Sequence, residues 1–364
     1  MNNVSFCPKC GQALAAGTKF CTNCGFNVSD MHVTAAPNQQ QSQAARPTQN
    51  LFDSATEKLN SWTGEQKKVP IHLGTMFSEV FKSHSETEAE ALFIVGTSQT
   101  TPTLAQVSDS PVKPWLFSRV LALFILTISL LVGSLYVLNG QKMYVGLISI
   151  SSLAVPFSLL IMFFEINTFK NISIFKVTKI FMVGGVASLL ATLGLYQFVE
   201  IGQMSIVTAA VVAVIEETGK LIMIAYYINR INTKFILNGM LIGAAIGAGF
   251  ATFETAGYAG ELGVSVLLLR GVTALGTHTL WCAIVGAALA LAKGSAPLST
   301  SVFQNGRFIR FFLLSIALHA TWDAPLSFNM EKYTILIIIA WVIILVLIDA
   351  GLREIKTLQQ GQAD

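Results

Sequence analysis

Several ionisable side chains stand inside apolar runs where they are least expected. They are Glu216-Glu217-Thr-Gly-Lys220, Phe253-Glu254-Thr-Ala-Gly-Tyr258, Arg270 followed by His278, and His319-Ala-Thr-Trp-Asp323. An Asp, Glu, Lys or Arg at the centre of a membrane-spanning helix costs about 2.5 to 3.5 kcal/mol on insertion scales, and such residues usually face a bundle interior and mark function. The spacing is helical. Glu216 and Lys220, Glu254 and Tyr258, and His319 and Asp323 are each four apart and share a face, and Arg270 and His278, eight apart, project to a similar side. One such pair reads as glue between helices; four in succession read as a site. Carboxylates of this kind can activate water, and imidazoles can bind a metal or stabilise an oxyanion. Glu216, Glu217, Glu254 and Asp323 oppose only Lys220 and Arg270, so with neutral histidines the cluster is negative. Shifted protonation, charged histidines or a divalent cation would each balance it.

A second chemistry-bearing set lies at the other end of the chain. Cys7-Pro-Lys-Cys10-Gly and Cys21-Thr-Asn-Cys24-Gly form two knuckles whose thiolates can complete one tetrahedral, structural zinc site over residues 1–28. Paired disulfides are the alternative, disfavoured for a tail facing a reducing cytoplasm. Cys282 lies in an apolar helix and reads as a small packing residue.

The elements that must position the ionisable set follow from composition. Hydrophobic residues make up 53% of the chain and charged ones only 12%, where a soluble domain carries about a quarter charged. The expected fold is an all-α polytopic membrane protein of about eight transmembrane helices, at 115–137, 143–164, 177–199, 203–229, 235–259, 264–292, 308–328 and 333–352, each long enough for ~30 Å of hydrocarbon. Lys170, Lys176, Lys179, Arg230, Lys234, Lys293, Arg307, Arg310, Arg353 and Lys356 flank one set of loops, which by the positive-inside rule puts both termini in the cytoplasm. Counting 1.5 Å per residue from those anchors, Glu217 at ~20 Å, His278 at ~22 Å and His319 at ~14 Å meet near mid-membrane, with Glu254 and Arg270 farther out. A water-filled cleft opening on the extracytoplasmic side is expected. Arg119 reads as snorkelling, Asp349 as pairing with Arg353, Glu165 and Lys142 as interfacial, and Gly243, Gly247 and Gly249 as close helix packing.

Residues 29–113 read as mostly disordered linker, Gln-rich at 39–43, with a short helical element at 71–96. Residues 114–352 form the transmembrane domain and 353–364 a cytoplasmic tail. No cleavable signal peptide is visible. The net charge of +3 gives no case for a nucleic acid partner; the lipid bilayer is the evident one.

Glu216-Glu217-x-x-Lys220, Phe253-Glu254-x-x-x-Tyr258, Arg270 with His278, and His319-x-x-x-Asp323 together resemble the motif set of the PrsW family of intramembrane proteases, itself similar to the Abi or CAAX-protease-like group. The resemblance covers roughly residues 115–350; the zinc ribbon is an addition to it. It implies a bacterial inner or plasma membrane enzyme that cuts membrane-anchored, anti-sigma-factor-like protein substrates on the extracytoplasmic side. It also implies roles. Glu216 or Glu217 would activate water, tuned by Lys220; His278 and His319 would bind a catalytic metal, zinc, or stabilise the oxyanion; Asp323 would orient His319 or serve as another ligand; Tyr258 and Arg270 would donate hydrogen bonds. Glu217, Glu254, His278 and His319 are the candidate ligands, and a metal-free glutamate and histidine mechanism stays open. A proton- or ion-coupled transporter and a non-catalytic sensor, its ribbon reading a cytoplasmic partner, are the rival classes. Against transport stand the lack of an internal repeat and of a midplane helix break, Pro325 being the only proline within the fourth to seventh segments.

Overall fold

In hydrocarbon no water satisfies the backbone, so long apolar runs fold as helices. The computed structural model describes residues 51–65, 69, 71, 73–326 and 330–361, with short pieces at 5–6, 13–14, 19 and 22–23. Two units are distinguished, Met1–Thr48 and Gln49–Asp364. In the first, strands β1 (Ser5–Phe6) and β2 (Ala13–Leu14) pair antiparallel. The four cysteines expected to bind zinc lie outside the described residues.

The second unit is helical. Helices α1 (Leu51–Trp62) and α2 (Glu86–Phe93) lie within the stretch read as mostly linker. They are followed by α3 (Leu116–Val137), α4 (Gln141–Ile166), α5 (Ile174–Tyr196), α6 (Ile206–Ile231), α7 (Ile236–Leu262), α8 (Ser265–Thr273), α9 (His278–Lys293), α10 (Gly306–Asp323) and α11 (Met330–Gln360). Six segments are long and apolar enough to cross a membrane: α3, α4, α5, α7, the combined run Ser265–Lys293 and α11. The other two expected spans, α6 and α10, are helices of 26 and 18 residues that carry much of the ionisable set, and this lowers their apolar character.

The run Ser265–Lys293 is not one continuous helix. A 3-10 turn at Ala274–Gly276 separates α8 from α9, so His278 is the first residue of α9. No proline causes this break, which interrupts the single span expected at 264–292.

Helix α7 is the axis of the bundle. Gly239, Gly243 and Gly247, four apart, face α9 so closely that an added Cβ would lie 2.3 Å from Gly286 O, 2.0 Å from Cys282 O and 2.2 Å from His278 O. Gly249 faces the other way, against Phe181 O in a π turn of α5 at Ile180–Gly184. Small residues let the backbones approach, as expected from Gly243, Gly247 and Gly249. Cys282 is fully buried between the two helices and unpaired.

Polar residues at the helix ends hold neighbours together. Glu165, read as interfacial, is buried, and its carboxylate accepts the N–H groups of Trp115, Leu116 and Phe117 at 2.9, 3.0 and 3.0 Å. It thereby satisfies donors that the start of α3 leaves open. Glu354 does the same for α7 through Ile236 N–H at 2.8 Å. Arg353 pairs with Asp349 as expected and also donates to Asn60 and Thr63 at the end of α1, each at 2.9 Å. Arg119 donates to Lys82 O at 2.7 Å, and His84 stacks on Trp115 at 3.8 Å. The segment before α3 is thus bonded along the bundle.

Candidate active site

Five helices, α6 to α10, bring the ionisable set to one place. Helix α6 packs against α5, α9 and α10, and α9 against α7. Glu216, Glu217 and Lys220 project from the middle of α6. The Lys220 ammonium is fully buried and donates to Glu216 Oε2 at 3.1 Å, Glu217 Oε1 at 2.9 Å and His278 Nδ1 at 2.9 Å. Its fourth side lies over the Phe250 ring at 4.1 Å. A buried ammonium is tolerated only when paired in this way.

The histidines acquire defined orientations from these bonds. An ammonium has no acceptor, so His278 Nδ1 must accept, and its proton sits on Nε2, 3.2 Å from Glu254 Oε2. His319 Nδ1 donates to Glu217 Oε1 at 2.9 Å, which turns Nε2 toward Asp323 Oδ2 at 3.3 Å and Glu216 Oε2 at 3.7 Å. The Glu217 carboxylate behind His319 fixes that ring and tautomer, an arrangement familiar from metal-binding histidines, whereas His278 is held at both nitrogens, by Lys220 and Glu254.

Arg270 reaches Glu254 from α8, pairing through Nη2, while its Nε donates to Thr255 Oγ1 at 3.1 Å. Arg270 and His278 therefore do converge, but not because eight residues span whole helical turns. The break between α8 and α9 turns both side chains onto one carboxylate. Tyr258 meets the group through its ring, with the guanidinium carbon 4.3 Å from the centroid.

A cavity of about 540 Å³ opens beside this network. Glu216, Glu254, His278, His319 and Asp323 line it, whereas Glu217 and Lys220 sit behind the wall. Tyr196, Tyr258 and Asp323, near the C-terminal ends of α5, α7 and α10, mark its mouth. These ends lie opposite the bundle end that carries Arg230, Lys234, Lys293 and Arg353.

Among the described residues, Glu216, His278 and His319 each offer a ligand atom within 4.8 Å of the others. Two imidazoles and a carboxylate suit zinc. Glu217 Oε2, behind the cavity wall, is buried without a hydrogen-bond partner. These residue types suit a divalent ion, although His278, with Nδ1 on Lys220 and its Nε2 proton toward Glu254, would have to give up that proton to hold one. Of the four ligands expected from sequence, His278 and His319 fall in this group. Glu217 is committed to Lys220 and His319, Glu254 is committed to Arg270 and His278, and Glu216 stands in their place.

Three neighbours carry no signal in the motif spacing. Tyr196 donates its hydroxyl to Glu216 Oε1 at 3.3 Å. Trp281, fully buried, stacks on the His319 ring at 4.7 Å between centroids. Phe250 underlies Lys220. Trp281 and Phe250 lie three after His278 and four before Glu254, but apolar rings at such spacing are ordinary core.

A family model described as PrsW family intramembrane metalloprotease matches residues 156–348, and a zinc-ribbon domain matches residues 6–28. No curated protein and no solved structure matches the chain.

Proposed function

We propose, from the premise that the chain belongs to the PrsW family of intramembrane metalloproteases, that it cuts single-span, membrane-anchored protein substrates in the cavity lined by Glu216, His278 and His319. The observation that carries this reading is the division of labour within the adjacent glutamates. Glu216 faces the cavity, whereas Glu217 is enclosed and orients both Lys220 and His319. Glu216 is therefore the carboxylate that takes the proton of the attacking water. Its two oxygens have separate neighbours, Oε2 meeting Lys220 and Oε1 meeting Tyr196, so it can join a donor set with one and accept a proton with the other.

Glu216, His319 and, once its Nε2 proton has passed to Glu254, His278 would hold a zinc ion, which would polarise the scissile carbonyl and make a bound water more acidic. The remaining residues arrange this machinery. Glu217 holds His319 through Nδ1, Asp323 borders its Nε2, and Lys220 holds His278 through Nδ1. Glu254 receives both His278 and Arg270, and Arg270, partly exposed in the cavity wall, offers donors to the substrate backbone. Peptide in the cavity leaves little room for bulk water, which strengthens each of these interactions.

With the basic ends of α6, α9 and α11 in the cytoplasm, the mouth opens toward the extracytoplasmic side of a bacterial inner membrane. Substrates of the anti-sigma-factor type, cut on that side, fit this orientation. The zinc ribbon of residues 6–28 would then bind a cytoplasmic protein partner. A transporter is the second reading, favoured by the broken run Ser265–Lys293. The same break serves the peptidase by setting His278 in the cavity wall.

The test is cleavage of a single-span substrate by protein reconstituted in vesicles. Glu216→Ala and His278→Ala should each abolish cleavage while helical content and ribbon zinc stay unchanged. Unaltered cleavage in both variants, or solute flux without cleavage in the wild type, would sink the assignment.

A further inference from the structure

The turn at Ala274–Gly276 sets His278, yet its own support comes from a helix that carries none of the motif residues. In an unbroken helix Leu275 O would accept the N–H of Thr279. The break removes that partner at membrane depth, where an unsatisfied carbonyl is costly. Trp341 of α11 supplies the donor, its Nε1 lying 3.0 Å from Leu275 O. One turn earlier on the same face of α11, Ile337 closes over Gly276. A Cβ added there would lie 2.4 Å from Ile337 Cγ1 and 2.8 Å from its Cα. The turn is thus clamped by one hydrogen bond and one tight backbone contact, two residues before His278.

Trp341 is itself braced from outside the spans. The Phe77 ring meets it edge-on, 5.9 Å between centroids at 79°. Phe77 also packs on Phe117 at the start of α3, at 5.6 Å. A side chain from the segment before the first span therefore reaches a residue that bonds the active-site turn.

We propose that Trp341 is a positioning residue for hydrolysis: its indole N–H fixes the Ala274–Thr277 turn that aims His278 into the cavity, and Phe77 holds the indole in place. This rests on the peptidase reading of the cavity. A ring that only filled space could be replaced by another ring, whereas the role argued here needs the N–H. The pre-membrane segment thereby acquires a direct line to a reacting group.

The experiment compares full-length wild type, Trp341→Phe, and a protein with benzothienylalanine at position 341, which keeps the indole shape and replaces N–H by sulfur. Each is reconstituted in vesicles for cleavage kinetics and hydrogen exchange. Both variants should lose kcat by about 10-fold or more with KM within about twofold, as expected for a misaimed group. Peptides covering residues 274–280 should exchange at least about 10-fold faster, since exchange reports local opening. Phe77→Ala should shift both readouts in the same direction, by less. Wild-type kcat and unchanged exchange in the benzothienylalanine protein would overturn the proposal even if Trp341→Phe fails to fold. An inactive wild type would instead count against the peptidase reading, and the exchange measurement would still decide the role of Trp341 in the turn.

Discussion

Replacing Gly247 by alanine tests whether the helix pair that carries the site must meet backbone to backbone. The new Cβ would sit 2.2 Å from His278 O and 2.7 Å from Cys282 Cβ. Neither atom is the free end of a flexible side chain, so α7 and α9 must part by roughly 1 Å at the level of His278. The ring of His278 is held at 2.9 Å from Lys220 and 3.2 Å from Glu254. A shift of that size takes both bonds toward or beyond the limit of useful geometry. Misplacement by 1 Å costs on the order of 10²-fold in rate, and overpacking of this kind costs about 1 to 3 kcal/mol of stability. Gly257, on the same helix, has nothing within 4 Å of an added Cβ, so Gly257→Ala is the matched control. Steady-state cleavage of a single-span substrate in vesicles, with thermal melting alongside, reads both effects. Cleavage by Gly247→Ala within about threefold of wild type would refute the claim that this contact sets His278.

Three further outcomes are expected. Glu165→Gln keeps the shape but removes the charge that caps α3, and should lower stability by about 1.5 to 3 kcal/mol in reversible detergent unfolding, the range for hydrogen bonds to a charged group; no loss would deny the cap any energetic weight. Tyr196→Phe should lower kcat/KM by roughly 3- to 10-fold, the worth of one neutral-donor hydrogen bond, without changing the melting temperature; full activity would remove Tyr196 from the site. Cys7→Ser with Cys24→Ser should release one zinc per chain in metal analysis while leaving cleavage-competent protein. Zinc retained at the wild-type level would contradict the four-cysteine site.

What could be read from sequence followed the helical period. Glu216 with Lys220 and His319 with Asp323 were legible because residues four apart share a face, and the structure keeps both pairs in contact. The membrane character was legible from charge alone. The break before His278 was not, since Gly276 is one glycine among many and its distinguishing feature is Ile337, sixty-one positions away in sequence. Tyr196 and Trp341 were equally silent, because each acts through a tertiary hydrogen bond with no periodic trace. Residues 51–112 look like linker because their buried apolar side chains, Ile71, Met76, Val95 and Val107 among the described residues, are too far apart to form a pattern. The choice between Glu216 and Glu217 needed the cavity, since adjacent identical residues differ only in which way the helix turns them.

The most direct measurement is mass spectrometry of the products formed from a single-span substrate by full-length protein in vesicles, beside Glu216→Gln. A peptidase built on this cavity should cut at a defined bond in the extracytoplasmic half of the substrate span, and Glu216→Gln, which keeps the side chain's size, should yield no product. Cleavage persisting in Glu216→Gln, or cuts confined to the cytoplasmic side, would contradict the account.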